Sequence, residues 1–168
     1  MIDFSNYYFY DNKLTVFASN DVGSQVVHKP VENSQYRGGV NLPEVKVVMD
    51  ALLEQIKSDK EKSIIIATMN QQQESEVTLA LEAELQNNKM LRDFDSKHQG
   101  NLDELVVKKL EDIQGDERDV VIISTVYGPD ADGKITQMFG DINRANGHRR
   151  LNVPVSYTHL RAHETQRY

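Results

Sequence analysis

The chain has 168 residues, no cysteine and a formal net charge of -7 at pH 7. This length suffices for one domain that buries a core without disulfides or metal staples, and the lack of cysteine excludes thiolate metal sites and cysteine nucleophiles. The acidic balance excludes a broad nucleic-acid-coating surface, which needs clustered lysine and arginine, so any nucleic-acid contact must be local.

Membrane and export signals are absent from the sequence. No apolar run approaches the roughly 20 residues that span a bilayer, and the first ten residues lack the basic start and apolar core of a signal peptide. We therefore predict a cytoplasmic protein that has no membrane partner.

The first clear helix begins at Asn41. Asn41 is a good capping residue, Pro43 fits the first turn, and the Glu44 carboxylate suits the positive end of a helix. Apolar residues then recur at spacings of three and four, namely Val45, Val48, Met49, Leu52, Leu53 and Ile56. This pattern predicts a core-facing helix that ends in the charged run at 57–62.

A βα unit follows the first helix. Residues 63–68, SIIIAT, are typical of a buried strand, and a second helical pattern follows at Val77, Ala80, Leu81 and Leu85. Thr68 or Asn70 is expected to cap this helix. The amide-rich residues 69–73 would then lie at the carboxyl edge of the sheet, either as an ordinary loop or as a ligand contact. Residues 87–100 are predicted to be a polar connection.

A polar segment at 114–119 separates two strand-like runs at 105–110 and 120–126. The second run is β-branched almost throughout, which is typical of a strand buried on both faces of a parallel sheet. Open α/β sheets bind ligands outside the carboxyl ends of their strands. We therefore expect the polar segment to face a ligand, beside residues 69–73.

Basic residues cluster near the end of the chain. Residues 139–150, FGDINRANGHRR, contain three arginines. A guanidinium forms paired hydrogen bonds to phosphate oxygens, so this cluster is suited to an anion site. Surface ion pairs are the alternative interpretation.

The motifs in this order resemble those of superfamily 1 helicases of the Upf-like branch. Residues 110–128, LEDIQGDERDVVIISTVYG, resemble motif V, and residues 147–153, GHRRLNV, resemble the start of motif VI. Residues 63–73 are similar to motif IV, and residues 1–14 to the opening of the second RecA-like domain. The resemblance implies an α/β fold, a RecA-like parallel sheet flanked by helices, in an ATP-dependent DNA or RNA helicase.

The resemblance also assigns site residues. The nucleotide would be bound by Gln114, Gly115, Glu117 and Arg150, with the Glu117 carboxylate accepting hydrogen bonds from ribose hydroxyls, a suitable role for an acceptor-only group. Single-stranded DNA or RNA would be bound by Thr68, Asn70, Gln114 and Asn152. The implied cofactor is ATP with Mg, whose ligands are not in this chain, and no metal site is predicted within it.

The two ends depart from the family pattern. Tyr157 stands where the resemblance implies an arginine finger, and residues 154–168 look foreign, so we predict a helicase domain at 1–153, incomplete at its C-terminus, and an artefactual tail at 154–168. The chain contains no GxxxxGK[ST] phosphate loop. Walker A and Walker B are expected in a missing first RecA-like domain, and this chain alone is expected to be inactive because an absent arginine finger costs about 10³ to 10⁵ in rate.

Two other classes of function stay open at this point. The chain could be a self-contained α/β nucleotide- or protein-binding module without catalytic activity. A metal-dependent nuclease would need clustered carboxylates, for which Asp116, Glu117 and Asp119 are candidates. In the tail, His159, His163 and Glu164 imitate a helical metal pair but lack a supporting further ligand.

Overall fold

The computed structural model describes residues 27–113 and 116–135. Lys29–Met138 forms one compact unit, whose described part has the fold set out below, and Val27 and His28 belong to a second unit. The predictions for Gln114, Gly115, Arg150, Asn152 and the tail at 154–168 lie outside the described residues.

Helix α1 spans Leu42–Ser58 and forms as its sequence predicts. Asn41 caps it by accepting a hydrogen bond from the Glu44 amide, and Pro43 lies in the first turn. One face of the helix is buried, consisting of Val45, Val48, Met49, Leu52 and Ile56. The prediction of a core-facing helix is confirmed.

Three parallel strands form the sheet: β1 is Ile64–Thr68, β2 is Val106–Lys109 and β3 is Val120–Ser124. Their order is β2-β1-β3, so β1 is central. Thr68 pairs with both Lys109 and Ser124, which places the carboxyl ends of the three strands side by side. Parallel strands, with helices in the connection from β1 to β2, confirm the predicted α/β class.

Helix α2, Gln71–Asn87, follows β1 and is capped by Asn70, whose side-chain oxygen accepts the Gln73 amide at 2.8 Å. Helix α3, Lys89–His98, comes next. The sequence predicts a polar connection at 87–100, and this prediction is wrong because the segment contains helix α3. Only Leu91 and Phe94 supply large buried apolar side chains on this helix, together with His98, so its apolar stripe is too sparse to stand out in a charged segment.

The core lies between β1 and the helices. Ile64 and Ile66 pack with buried residues of α1, α2 and α3, namely Val45, Val48, Met49, Leu52, Ile56, Val77, Leu81, Leu91 and Phe94. Burial on both faces holds for β1, all of whose residues are buried, but not for β3, where Ile123 is 40% exposed. The sequence prediction for β3 is wrong in this respect because β3 lies at an edge of the described sheet.

Within the described residues, no helix is both long enough and apolar enough to cross a membrane.

Candidate functional site

The carboxyl edge of the sheet is the place where the sequence predicts a ligand. The last residues of β1, β2 and β3 meet there, and the Leu110 amide extends the pairing by donating to the Thr68 carbonyl at 2.9 Å. The first turn of α2 begins directly beyond β1. In open α/β sheets this edge carries the ligand crevice.

The structure places Thr68 and Asn70 at this edge, and both side chains are engaged within the protein. Thr68 is fully buried, and its hydroxyl donates to the Asn70 carbonyl at 3.1 Å. The Asn70 side chain caps α2 and donates to the Gly39 carbonyl at 2.9 Å. The capping role of Asn70 is confirmed, while a nucleic-acid contact by either residue stays a prediction.

A buried network of hydrogen bonds adjoins Asn70, and sequence reasoning missed it. The Gln73 side chain accepts from the Asn41 amide at 2.9 Å and donates to the Asn41 carbonyl at 3.3 Å and the Ser124 hydroxyl at 3.1 Å. The Ser124 hydroxyl donates to Glu44 Oε1 at 3.1 Å. Asn41, Gln73 and Ser124 are fully buried and Glu44 nearly so. The network therefore ties the starts of α1 and α2 to the end of β3.

The sequence does contain a signal for this network. Asn41 and Glu44 are three residues apart, and so are Asn70 and Gln73, which is the spacing of a capping residue and the third helical residue in a capping box. From the sequence alone, Glu44 is interpreted only as a favourable charge in the first turn. Gln73 is placed only in an amide-rich loop.

The cation at the carboxyl edge, Lys109, is surrounded by carboxylates. Its Nζ lies 3.0 Å from Asp112 Oδ2. The hydrogen bond with Asp112 raises the pKa of Lys109, and the charges of Asp112, Glu111 and Glu74 act in the same direction. Because its charge is already matched by these carboxylates, Lys109 is a poor candidate for an anion site.

Residues 116–119 of the polar segment lie away from the carboxyl edge. Asp116 forms an ion pair with Lys108 of β2 at 2.7 Å. The Arg118 guanidinium donates to the Glu104 carbonyl at 3.0 Å, and Glu104 precedes β2. The segment therefore runs back along the sheet toward the amino ends of the strands.

The segment ends at the amino edge. The Asp119 carboxylate accepts from both the amide and the hydroxyl of Ser63 at 2.9 Å, and the Asp119 amide donates to the Ser63 hydroxyl at 3.0 Å. Ser63 precedes β1. The expectation that the segment lies beside residues 69–73 is therefore wrong for Asp119, because a parallel strand pair requires the chain to return to the amino edge before β3 starts. For Gln114 and Gly115, which lie outside the described residues, it stays a prediction.

Of the four residues assigned to ATP, Glu117 alone lies within the described part of the chain. Its side chain is exposed, and a carboxylate open to solvent fits an acceptor for ribose hydroxyls. Asp116 and Asp119 point their carboxylates at Lys108 and Ser63 instead. Across residues 27–113 and 116–135, no three His, Asp or Glu side chains are grouped so that they could hold a metal ion.

Comparison with known proteins adds three findings. Residues 1–162 match a family described as an AAA domain. The chain is 30% identical over 162 residues to uncharacterized ATP-dependent helicases of Mycoplasma genitalium and of Mycoplasma pneumoniae, an alignment covering 93% of this chain. The chain spans 14% of the length of these relatives. No solved structure matches the chain.

Proposed function

The chain belongs to the AAA domain family, and from that premise we propose that it is the second motor domain of an ATP-dependent DNA or RNA helicase or translocase. The observation that carries this proposal is the family match over residues 1–162, because it includes both segments that resemble helicase motifs V and VI. The names of the two relatives, ATP-dependent helicases aligned over 93% of the chain, support it.

In this function the chain contributes one wall of the ATP cleft and part of the track for single-stranded nucleic acid. Gln114, Gly115, Glu117 and Arg150 face the nucleotide, and ATP hydrolysis supplies the energy for opening and closing the cleft. The solvent-exposed Glu117 carboxylate supports this assignment.

The nucleic-acid track is proposed to include Thr68, Asn70, Gln114 and Asn152. Thr68 and Asn70 lie at the carboxyl edge, but their side chains are bonded to the Asn70 and Gly39 carbonyls. Each would have to exchange a protein partner for the ligand. We therefore expect their contribution to affinity to be small.

The other half of the motor is proposed to be a first RecA-like domain that carries the phosphate loop and the Mg ligands. In the same proposal the natural domain corresponds to residues 1–153, the tail at 154–168 is not native, and the protein acts in the cytoplasm. The sequence contains no GxxxxGK[ST] phosphate loop to hold the β- and γ-phosphates, so the isolated chain is expected to bind nucleotide weakly and not to hydrolyse it.

The first test uses the 168-residue chain by itself. ATP hydrolysis is measured with and without single-stranded DNA and RNA, and binding of a labelled oligonucleotide is followed by fluorescence anisotropy. We expect weak oligonucleotide binding and no hydrolysis above background. Hydrolysis stimulated by the oligonucleotide would contradict the proposed inactivity, and tight nucleotide binding without any oligonucleotide binding would favour the self-contained module instead.

The second test addresses Glu117. A base-labelled ATP analogue is displaced by ATP or by 2′,3′-dideoxy-ATP, in the original chain and in Glu117→Ala. Since hydrogen bonds to a charged group contribute about 1.5 to 3 kcal/mol, loss of the carboxylate should weaken ATP binding about tenfold or more. It should leave the dideoxy competitor unaffected, and Glu82→Ala, a change of an exposed glutamate on α2, is the matched control. Equal effects on both competitors would exclude a ribose contact.

A further inference from the structure

A groove opens on the surface beside the starts of α1 and α2, with a volume of about 300 Å³. Three apolar and three polar residues line it, namely Val40, Leu42, Pro43, Gln35, Arg37 and Glu76. Leu42 is 62% exposed. Leu79, which is 59% exposed, follows Glu76 by three residues on α2 and therefore lies on the same side of that helix. Exposed apolar side chains grouped inside a polar rim are typical of a protein interaction site.

The wall of the groove that carries Arg37 is held in place by the fold. Arg37 and Val40 close a tight turn, in which their backbones exchange hydrogen bonds of 2.8 Å and 3.0 Å. The two residues between them, Gly38 and Gly39, have φ of 57° and 88°, as a two-residue hairpin turn requires. The Gly39 carbonyl accepts from the Asn70 side chain at 2.9 Å. The turn is therefore fastened to the start of α2, and the groove is preformed.

The groove carries one cation and one carboxylate whose charges are not used by the described fold. The side chains of Arg37 and Glu76 form no ion pair or hydrogen bond with each other or with any other residue that the structure describes. Arg37 is exposed and Glu76 partly so. Both charges are thus available to a partner that covers the apolar residues beside them.

The charge pattern selects the kind of partner. A partner of one charge sign would pair with Arg37 or with Glu76 and leave the other charge unpaired under the interface, which is unfavourable. A second copy of this chain presents both signs. In a two-fold interface the same patch meets itself, so that each Arg37 faces the Glu76 of the other copy and the apolar side chains meet between the two pairs.

We propose that this groove is a two-fold interface between copies of the chain, in which Arg37 of each copy pairs with Glu76 of the other around Leu42 and Leu79. The interface is independent of the nucleotide and nucleic-acid contacts proposed above. The groove residues and Leu79 are far fewer than the roughly 20 to 30 residues that each side of a standard interface contributes. The dimer is therefore weak, with a dissociation constant on the order of 10 to 100 µM.

The apolar part of the interface is tested by sedimentation equilibrium of the 168-residue chain at about 5 to 500 µM, a range that brackets the expected dissociation constant. We expect a monomer–dimer equilibrium. Leu42→Ala should weaken it about tenfold, because the truncation occurs twice in each dimer. Leu102→Ala, a change of a leucine that is 92% exposed and does not line the groove, should have no effect. A monomer at every concentration would overturn the proposal, and so would a dimer that Leu42→Ala leaves unchanged.

The charge pairing is tested by exchanging the two charges. Arg37→Glu and Glu76→Arg should each weaken dimerisation about tenfold or more, because each places two pairs of like charges in the interface. Lys60→Glu, in the loop after α1, changes the net charge as Arg37→Glu does and should leave dimerisation unchanged.

Recovery of the dimer distinguishes lost pairing from misfolding. An equimolar mixture of the Arg37→Glu and Glu76→Arg chains should associate as the original chain does, because both pairs in the mixed dimer then join opposite charges. The double variant should also dimerise normally. Circular dichroism establishes that each variant is folded. If neither the mixture nor the double variant associates more strongly than the single variants, the pairing of Arg37 with Glu76 is refuted.

Discussion

The polar side chains at the two edges of the sheet differ in burial. At the carboxyl edge, Gln73, Ser124 and Thr68 are fully buried, and their polar atoms bond to one another or to nearby backbone. On the way to the amino edge, Asp116 and Arg118 are partly exposed and Glu117 is exposed. Asp116 and Arg118 also bond within the protein, to Lys108 and the Glu104 carbonyl. A polar residue in the sequence therefore indicates a ligand site only when its side chain is both accessible and not already bonded within the fold, as for Glu117.

This difference has an energetic consequence. Removing one partner from a buried network leaves another polar group unsatisfied, which costs more than losing a solvated hydrogen bond. Substitutions of the fully buried residues at the carboxyl edge should therefore reduce stability strongly. Equivalent substitutions toward the amino edge should have smaller effects.

The largest effect is expected for Gln73→Ala. It leaves the Asn41 amide and the Ser124 hydroxyl without their partner in a fully buried site. The lost hydrogen bonds and the cavity together should lower the free energy of unfolding by about 3 kcal/mol. Urea denaturation measures the change. Gln71→Ala, at the exposed start of the same helix, should change stability by less than about 0.5 kcal/mol. Similar values for both variants would refute the contrast.

A smaller loss is expected for Asp119→Ala at the amino edge. The carboxylate joins the starts of β1 and β3 through two hydrogen bonds to Ser63, but the site is only partly buried, so we expect a loss of about 1.5 kcal/mol. The same denaturation assay applies, with the exposed Asp132→Ala as the control. A loss as large as that of Gln73→Ala would show that the two edges do not differ.

Asn70→Ala should reduce stability by about 1 kcal/mol, the usual cost of losing a helix cap. Asn70→Asp keeps the oxygen that accepts from Gln73 but loses the donor to the Gly39 carbonyl. The stability loss of Asn70→Asp should therefore be less than half of the loss of Asn70→Ala. If the two variants melt at the same temperature, the bond to Gly39 rather than the cap dominates.

The smallest effect concerns Asp95 in α3. Burial raises its pKa, and the charge of Glu104 acts in the same direction. A carboxyl group whose pKa is raised in the folded state favours folding at low pH, and that contribution is lost as the pH rises through the folded pKa. Asp95→Asn should therefore stabilise the protein slightly at pH 7, by no more than about 0.5 kcal/mol, because solvent screens this partly exposed group.

The pH dependence separates this effect from a change in helix propensity. At about pH 3, where Asp95 is protonated, the advantage of Asp95→Asn should vanish. Thermal melts at the two pH values measure the difference. An advantage that persists at low pH would assign the effect to something other than the charge.

Much of the fold followed from the sequence. The capped start of α1, its apolar stripe and the strand β1 were all predicted, because each depends on local patterns of three to four or of two residues. Helix α3 was missed because two large apolar residues, Leu91 and Phe94, carry its packing. The path of residues 116–119 back to the amino edge was missed because it depends on how β3 pairs with β1.

The starts of α1 and α2 depend partly on the sequence alone and partly on the tertiary structure. Because capping is a local interaction, the sequence by itself predicted the cap at Asn41 and limited the second cap to Thr68 or Asn70. The structure shows Asn70 in that role, and each cap is followed three residues later by a polar side chain. Only the tertiary structure decided what those following side chains do. Glu44 reaches the turn after β3, and Gln73 bonds to Asn41 and Ser124, because the order β2-β1-β3 brings both helix starts to the end of β3.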